Sequence, residues 1–208
     1  MRLKRFKHND TNELENLLKK YRAKFKRIII LCEGLYSMDG DYANLTDFRR
    51  LANEWGALLF VDEAHSFFSL HELGECDACG ISSDFMLITF SKALGGMGAA
   101  ILCDENTKNL LVNTARSLIY STALAPINIA WTKFILSKNF SQRRKNLAKN
   151  IELLGLNNSA ISPVLCQDSQ HALCASKMLA QHGYFIPAIR PPSVKQARLR
   201  ISLRADIL

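Results

Sequence analysis

A chain of 208 residues with 48% hydrophobic and 22% charged residues can bury a core the size of one ordinary domain or of one and a half small ones, and this composition excludes a disordered chain. The net charge of +8 sits at the ends: residues 1–27 carry ten Lys/Arg against three acids, and residues 190–208 carry five against one. No apolar run is long enough to span a bilayer, the basic start lacks the apolar stretch of a signal peptide, and six scattered cysteines suit a reducing cytoplasm.

In chain order, Leu14, Leu17, Leu18 and Tyr21 form one stripe and predict an amphipathic helix over 12–26. A strand is expected over 27–32 and a turn-rich loop over 37–44. A helix over 45–55 is closed by Gly56 just past its last turn. Strands follow at 57–61, 85–89 and 99–103, and helices at 106–115, 126–137 and 142–154. The alternation argues for an α/β fold, a mostly parallel sheet with helices on its faces. From about residue 155 the pattern changes to strand 161–166, helix 170–182 and strands 185–189 and 198–203, a small α+β domain.

Two apolar runs end in polar groups. Leu58-Leu59-Phe60-Val61 leads into Asp62-Glu63-Ala64-His65, and Leu87-Ile88-Thr89-Phe90 leads into Ser91-Lys92-Ala93-Leu94-Gly95-Gly96. On neighbouring strands these ends would supply the parts that hold and use pyridoxal 5'-phosphate (PLP). A lysine amine condenses with the cofactor aldehyde and shuttles a proton. A carboxylate facing the pyridine nitrogen keeps it protonated, the role open to Asp62. His65 can reach the phenolic oxygen, Thr89 can donate to the phosphate, and the glycines allow a sharp turn. Each residue also has a plainer reading. Lys92 alone could be an exposed lysine after a strand, Asp62 a strand-end acid that caps the next turn, and His65 a satisfied, partly buried histidine. Glu63 is the rival carboxylate, but strand alternation turns it to the opposite face.

These segments, with Glu33-Gly34-Leu35-Tyr36-Ser37-Met38-Asp39-Gly40-Asp41, resemble the α-oxoamine synthases, fold-type I PLP enzymes that condense an amino acid with an acyl thioester and release carbon dioxide. Ala188-Ile189-Arg190-Pro191-Pro192-Ser193, Ala197-Arg198-Leu199-Arg200-Ile201-Ser202-Leu203 and Leu118-Ile119-Tyr120-Ser121-Thr122 carry the resemblance further, in order, over nearly the whole chain. The 188–193 stretch favours the branch of the family that serves biotin synthesis, condensing L-alanine with a pimeloyl thioester. Glycine C-acetyltransferases and other acyl-CoA synthases of the family share the same core and stay open.

The resemblance implies Lys92, Asp62 and His65 as catalytic residues. It gives Thr89, Ser37, Ser121 and Thr122 as further cofactor contacts, the last two reaching the phosphate of the neighbouring subunit in a homodimer. It gives Arg200 as the carboxylate-binding guanidinium and Ser193 and Arg190 as substrate contacts. Simple turn chemistry at Ser37, a helix cap before Pro126 at Ser121 and Thr122, and an exposed strand arginine at Arg200 are the alternatives. The partners it implies are L-alanine or glycine and an acyl-CoA or acyl-carrier-protein thioester, to which basic ends are electrostatically suited; neither nucleic acid nor membrane is expected.

The resemblance further implies a piece of a longer enzyme. Residues 1–137 would be the C-terminal part of the large PLP-binding domain, 138–154 a connecting helix, and 155–208 an incomplete small domain. A phosphate-binding turn and a ring-stacking histidine would lie upstream, and a non-catalytic remnant of a split gene is the rival expectation. The sequence departs from the family's glycine-rich pattern after His65, where bulky Phe67 and Phe68 stand. In the same loop Cys76 and Cys79, with His71 nearby, make a lone C-x-x-C that lacks the second ligand pair a zinc site needs, so no metal is expected.

Overall fold

A computed structural model describes residues 2–207. The chain divides into two compact units, Met1–Gly34 with Tyr42–Asn139, and Leu35–Asp41 with Phe140–Leu208.

The first unit is an α/β layer. Helix α1 (Thr11–Tyr21) starts where Asp10 Oδ1 accepts the Glu13 N–H at 2.8 Å, and buries Leu14 and Leu18. It stops five residues before the end that its stripe predicts. A 3-10 turn (Arg22–Lys24) follows, and the Arg22 guanidinium donates to the Phe25 and Lys26 carbonyls. The lysines and arginines crowded into this stretch repel one another at helical spacing, which favours the break. Strand β1 (Ile29–Glu33), helix α2 (Leu45–Trp55), strand β2 (Leu58–Asp62), the short helix α3 (Glu75–Ala78), and strands β3 (Phe85–Thr89) and β4 (Ala99–Leu102) come next. Gly56 ends α2 with φ +58°, the left-handed backbone that glycine adopts without a Cβ penalty.

The sheet order is β1-β2-β3-β4. The first three strands run parallel and β4 is antiparallel. One face carries Ile30, Cys32, Leu59, Val61 and Ile88, all buried, and α2 adds Phe48, Leu51 and Ala52 with no exposed surface. The registered partners Leu31, Phe60 and Phe85 lie on the other face, where Leu31 is 60% exposed and Ile101 44%. Arg49 Nη1 bonds Asp84 Oδ2 at 2.8 Å, and that same oxygen accepts the Leu59 N–H at 2.7 Å, tying α2 to the start of β3. Helices α4 (Glu105–Thr114), α5 (Arg116–Ile119) and α6 (Pro126–Leu136) complete the unit. They leave Leu110, Val112, Ile127, Ile129, Trp131 and Phe134 exposed.

The second unit packs α7 (Ser141–Leu154) and α8 (Ser169–Gln181) with an antiparallel sheet of order β5-β7-β6, made of β5 (Ile161–Leu165), β6 (Ala188–Ile189) and β7 (Arg198–Ser202). Strand β6 is shorter than its apolar run predicts. Pro187 has no N–H for a ladder and Phe185 is 93% exposed, so pairing begins only at Ala188. The segment Leu35–Asp41 belongs to this unit. Ser159 Oγ and Asn157 Nδ2 each donate to the Gly40 carbonyl at 2.7 Å, and Arg198 Nη1 donates to Asp39 Oδ1 at 2.7 Å and to the Met38 carbonyl at 2.9 Å.

Candidate active site

In the first unit the site grows from parallel pairing. Because β2 and β3 run the same way, the polar residues after each emerge at one edge of the sheet, the edge where ligands of open α/β sheets bind. Asp62 is opposite Leu87 in the register, and the Glu63 N–H donates to the Leu87 carbonyl at 2.8 Å. Leu87 and Thr89 share a face by alternation, so Asp62 and Thr89 point to the same side, that of the half-open apolar face. The Asp62 main chain is fixed by the Gly34 N–H, which donates to its carbonyl at 2.8 Å. Its Oδ1 accepts the Ala64 N–H at 2.9 Å, which starts the turn toward His65 and leaves Oδ2 outside that turn.

Thr89 is the most telling polar group. Its Oγ1 is buried and has no hydrogen-bond partner among the described residues. A buried hydroxyl without a partner costs roughly 1–3 kcal/mol, and an oxygen-rich ligand would satisfy it. Lys92 sits three residues on, in a tight excursion between β3 and β4. The Gly95 N–H donates to the Lys92 carbonyl at 3.0 Å, the Gly96 and Phe90 N–H groups close the loop on Phe90 and Gly98, and Gly95 and Gly98 have φ +59° and +109°. The lysine is exposed at the rim of this loop. Beside it an open apolar groove of about 690 Å³ is lined by Gly95, Gly96, Met97, Ile127, Trp131 and Phe134, with Trp131 Nε1 donating to the Leu94 carbonyl at 3.2 Å.

Ser121 and Thr122 lie in the exposed segment between α5 and α6. Neither caps α6, whose N-cap is Ala125, and Ser121 Oγ donates back to the Ser117 carbonyl. In the second unit, Ser37 rides on the Leu35–Asp41 segment. Arg200 is half-buried on the central strand β7, opposite Pro163, and its N–H donates to the Pro187 carbonyl at 3.0 Å. Arg190 and Ser193 close a turn after β6, where the Ser193 N–H donates to the Arg190 carbonyl at 3.0 Å.

Two residues were not singled out by sequence reasoning. Glu63, the rejected carboxylate, is fully buried on the opposite face from Asp62 and collects donors there from Ser66, Glu75 and Cys76. Its signal was present but unread: Gly34 and Gly74, far apart in sequence, both leave room for it. Arg198, on the face of β7 shared with Arg200, is buried and holds Asp39 across 159 residues, a pairing without a local signature.

The cysteines of the C-x-x-C loop do not converge on a ligand set; among the described residues no cluster of His, Cys, Asp and Glu suits a metal ion. All six cysteines are free thiols. Burial first, then the Glu63 charge, pushes the Cys76 thiol up, and the same causes raise Cys32 to about 12, so both are inert at neutral pH. Phe68 takes φ +61° and buries its ring, which is how a bulky residue is accommodated in this turn.

Residues 1–207 match the family described as aminotransferase class I and II. An 8-amino-7-oxononanoate synthase of Haemophilus ducreyi is 39% identical over 226 residues, covering 98% of this chain and 58% of the relative. A putative 8-amino-7-oxononanoate synthase of Glaesserella parasuis is 38% identical over 223 residues, covering 98% and 59%. The chain thus spans less than two thirds of the length of these relatives. Among solved structures, a serine palmitoyltransferase of Sphingomonas wittichii superposes with TM-score 0.86 at 26% identity, over 97% of this chain and 55% of that one. An 8-amino-7-oxononanoate synthase of Francisella tularensis superposes with TM-score 0.80 at 25% identity, over 100% and 64%. A serine palmitoyltransferase of S. paucimobilis, with TM-score 0.83 at 26% identity, was solved with PLP and myriocin bound.

Proposed function

The chain belongs to the aminotransferase class I and II family, in its α-oxoamine synthase group and with the fold-type I architecture, and from that premise we propose that it holds PLP on Lys92 and serves the condensation of L-alanine with a pimeloyl thioester to give 8-amino-7-oxononanoate. The observation that carries the reading is the common ending of β2 and β3, with Asp62 and the unpartnered, buried Thr89 Oγ1 on one face and Lys92 three residues beyond. These groups fit the cofactor. Thr89 Oγ1 gains the acceptor it lacks by donating to the phosphate, and Asp62 offers a carboxylate oxygen outside its own turn to the pyridine N–H.

When bound, PLP supplies the electron sink that makes the amino-acid α-carbon a nucleophile. Lys92 Nζ takes the α-proton and returns a proton after carbon dioxide leaves. Asp62 keeps the pyridine nitrogen protonated through charge pairing, and His65 hydrogen-bonds the phenolic oxygen. Arg200 grips the amino-acid carboxylate with its planar guanidinium. Ser37, Ser121 and Thr122 complete the cofactor contacts, the last two across a homodimer, while Ser193 and Arg190 line the acyl side. The acyl donor would be a thioester on CoA or on a carrier protein, with the thiol as its leaving group.

The test is turnover by the 208-residue chain with PLP, following carbon dioxide from carboxyl-labelled L-alanine, glycine and L-serine, each paired with pimeloyl, acetyl and palmitoyl thioesters. The expected result is turnover of L-alanine with the pimeloyl thioester. Preference for glycine with the acetyl thioester would move the chain to the glycine C-acetyltransferases. No turnover by a folded, PLP-loaded chain would favour a non-catalytic remnant.

A further inference from the structure

Glu63 follows Asp62 directly and precedes His65 by two residues, and it points to the face opposite Asp62. Its side chain is wholly buried. The carboxylate accepts the Ser66 hydroxyl, the Glu75 N–H at 3.0 Å and the Cys76 N–H at 2.8 Å, while its own carbonyl accepts the N–H groups of Ser66 at 3.1 Å and Phe67 at 2.8 Å. One residue therefore closes the turn 63–67 from the main chain and ties it from the side chain to the start of α3, twelve residues on. His65 is in the middle of that turn. The room for the carboxylate is made by two glycines. A Cβ on Gly34 would lie 2.6 Å from Glu63 Oε2 and 2.8 Å from Ser66 Oγ, and one on Gly74 would lie 2.7 Å from Glu63 Oε2. Gly34 also donates its N–H to the Asp62 carbonyl, so the same packing reaches Asp62.

We propose that Glu63 is a positioning residue of the cofactor site: its buried carboxylate clamps the turn that aims Asp62 and His65, and so sets how tightly and in which ionisation state the cofactor is held. This rests on the PLP reading of Lys92, Asp62 and His65. A buried carboxylate can serve as a rigid clamp here because each oxygen is met by charge-assisted donors, and support of this kind keeps functional side chains within the narrow geometry that chemistry demands. In Glu63→Gln one oxygen becomes an NH2 group that faces N–H donors, so at least one tie is lost at nearly constant volume.

The experiment uses the whole chain in three forms: parent, Glu63→Gln and the milder Ser66→Ala. Amide hydrogen exchange at Glu75 and Cys76 without PLP reads the clamp. The titration of the His65 ring, followed by NMR in the same PLP-free samples, reads positioning. PLP titration, with the pH at which the visible band changes, reads the site. For Glu63→Gln we expect exchange faster by at least about tenfold, a displaced His65 titration and PLP affinity weaker by about tenfold, the scale of one lost charge-assisted hydrogen bond. Ser66→Ala should show the same changes to a smaller extent, and it replaces Glu63→Gln as the deciding variant should the latter not fold. Faster exchange with His65 titration and PLP affinity unchanged would overturn the proposal and leave Glu63 a fold-stabilising residue only. If the folded parent takes up no PLP, the cofactor reading fails; the positioning of His65 is then still decided by its titration, and an unmoved midpoint overturns it.

Discussion

Thr89 carries the cost of the site at the residue scale. Its Oγ1 is desolvated and unpaired, so Thr89→Val should stabilise the PLP-free chain, by up to about 1 kcal/mol in urea unfolding, while weakening PLP binding. A residue with a purely structural role would move both quantities in the same direction. Gly34 makes the opposite case. Gly34→Ala would force a methyl group against Glu63 Oε2 and Ser66 Oγ in a closed space, and should destabilise the chain by about 1–3 kcal/mol. An unchanged denaturation midpoint would show that the turn relaxes more readily than its hydrogen bonds suggest. The residues proposed to carry chemistry stand out in the sequence because polar groups at the end of apolar runs are conspicuous. Glu63 and Arg198 were not, because their partners lie on other elements and only folding brings them together.

Between elements, the turn after β2 and the helix α3 share a pair of acids. The Glu75 carboxyl is pushed up from 4.5 to about 7, by burial first and by the Glu63 charge second. A carboxyl with a raised folded-state pKa still holds its proton where the unfolded chain has lost it. Its effect on stability is therefore unfavourable as pH rises from about 4.5 to about 7, and level above that. Melting temperatures should accordingly fall for the parent across this window relative to Glu75→Gln, which cannot ionise, and a difference that stays constant from pH 4 to 8 would contradict the coupling. In the second unit, Arg198→Ala removes the ties to Asp39 and Met38 and leaves a buried gap. It should cost about 1–3 kcal/mol and speed hydrogen exchange across Leu35–Asp41. Most strands and helices were readable from periodicity to within a few residues. Among the departures, the early end of α1 and the two-residue β6 come from like-charge crowding and from a proline that cannot join a ladder, effects that an apolar stripe does not register, and the four-residue helices α3 and α5 are too short to show a periodic pattern.

For the whole molecule, the notable property is apolar surface left uncovered within the first unit. Ile29 and Leu31 on β1, Ile101 on β4, and Ile127, Ile129, Trp131 and Phe134 on α6 are all between 44% and 72% exposed. Exposed large apolar side chains in this number favour association, and edge strands add unpaired backbone groups. The purified chain should therefore associate in a concentration-dependent manner in sedimentation velocity, and Leu31→Lys with Ile129→Lys should shift it toward monomer; a parent that is monomeric at all concentrations would contradict this. The α/β fold was legible in the sequence, but hydrophobic runs alone do not tell which of their faces the fold leaves bare.

The central claim is that Lys92 is the cofactor lysine. Titrating the folded chain with PLP, reducing with borohydride and mapping the labelled peptide tests it directly. We expect a saturable visible band and a label on Lys92 alone, absent in Lys92→Ala. A folded chain with no band, or with the label spread over surface lysines such as Lys108 and Lys133, would contradict it.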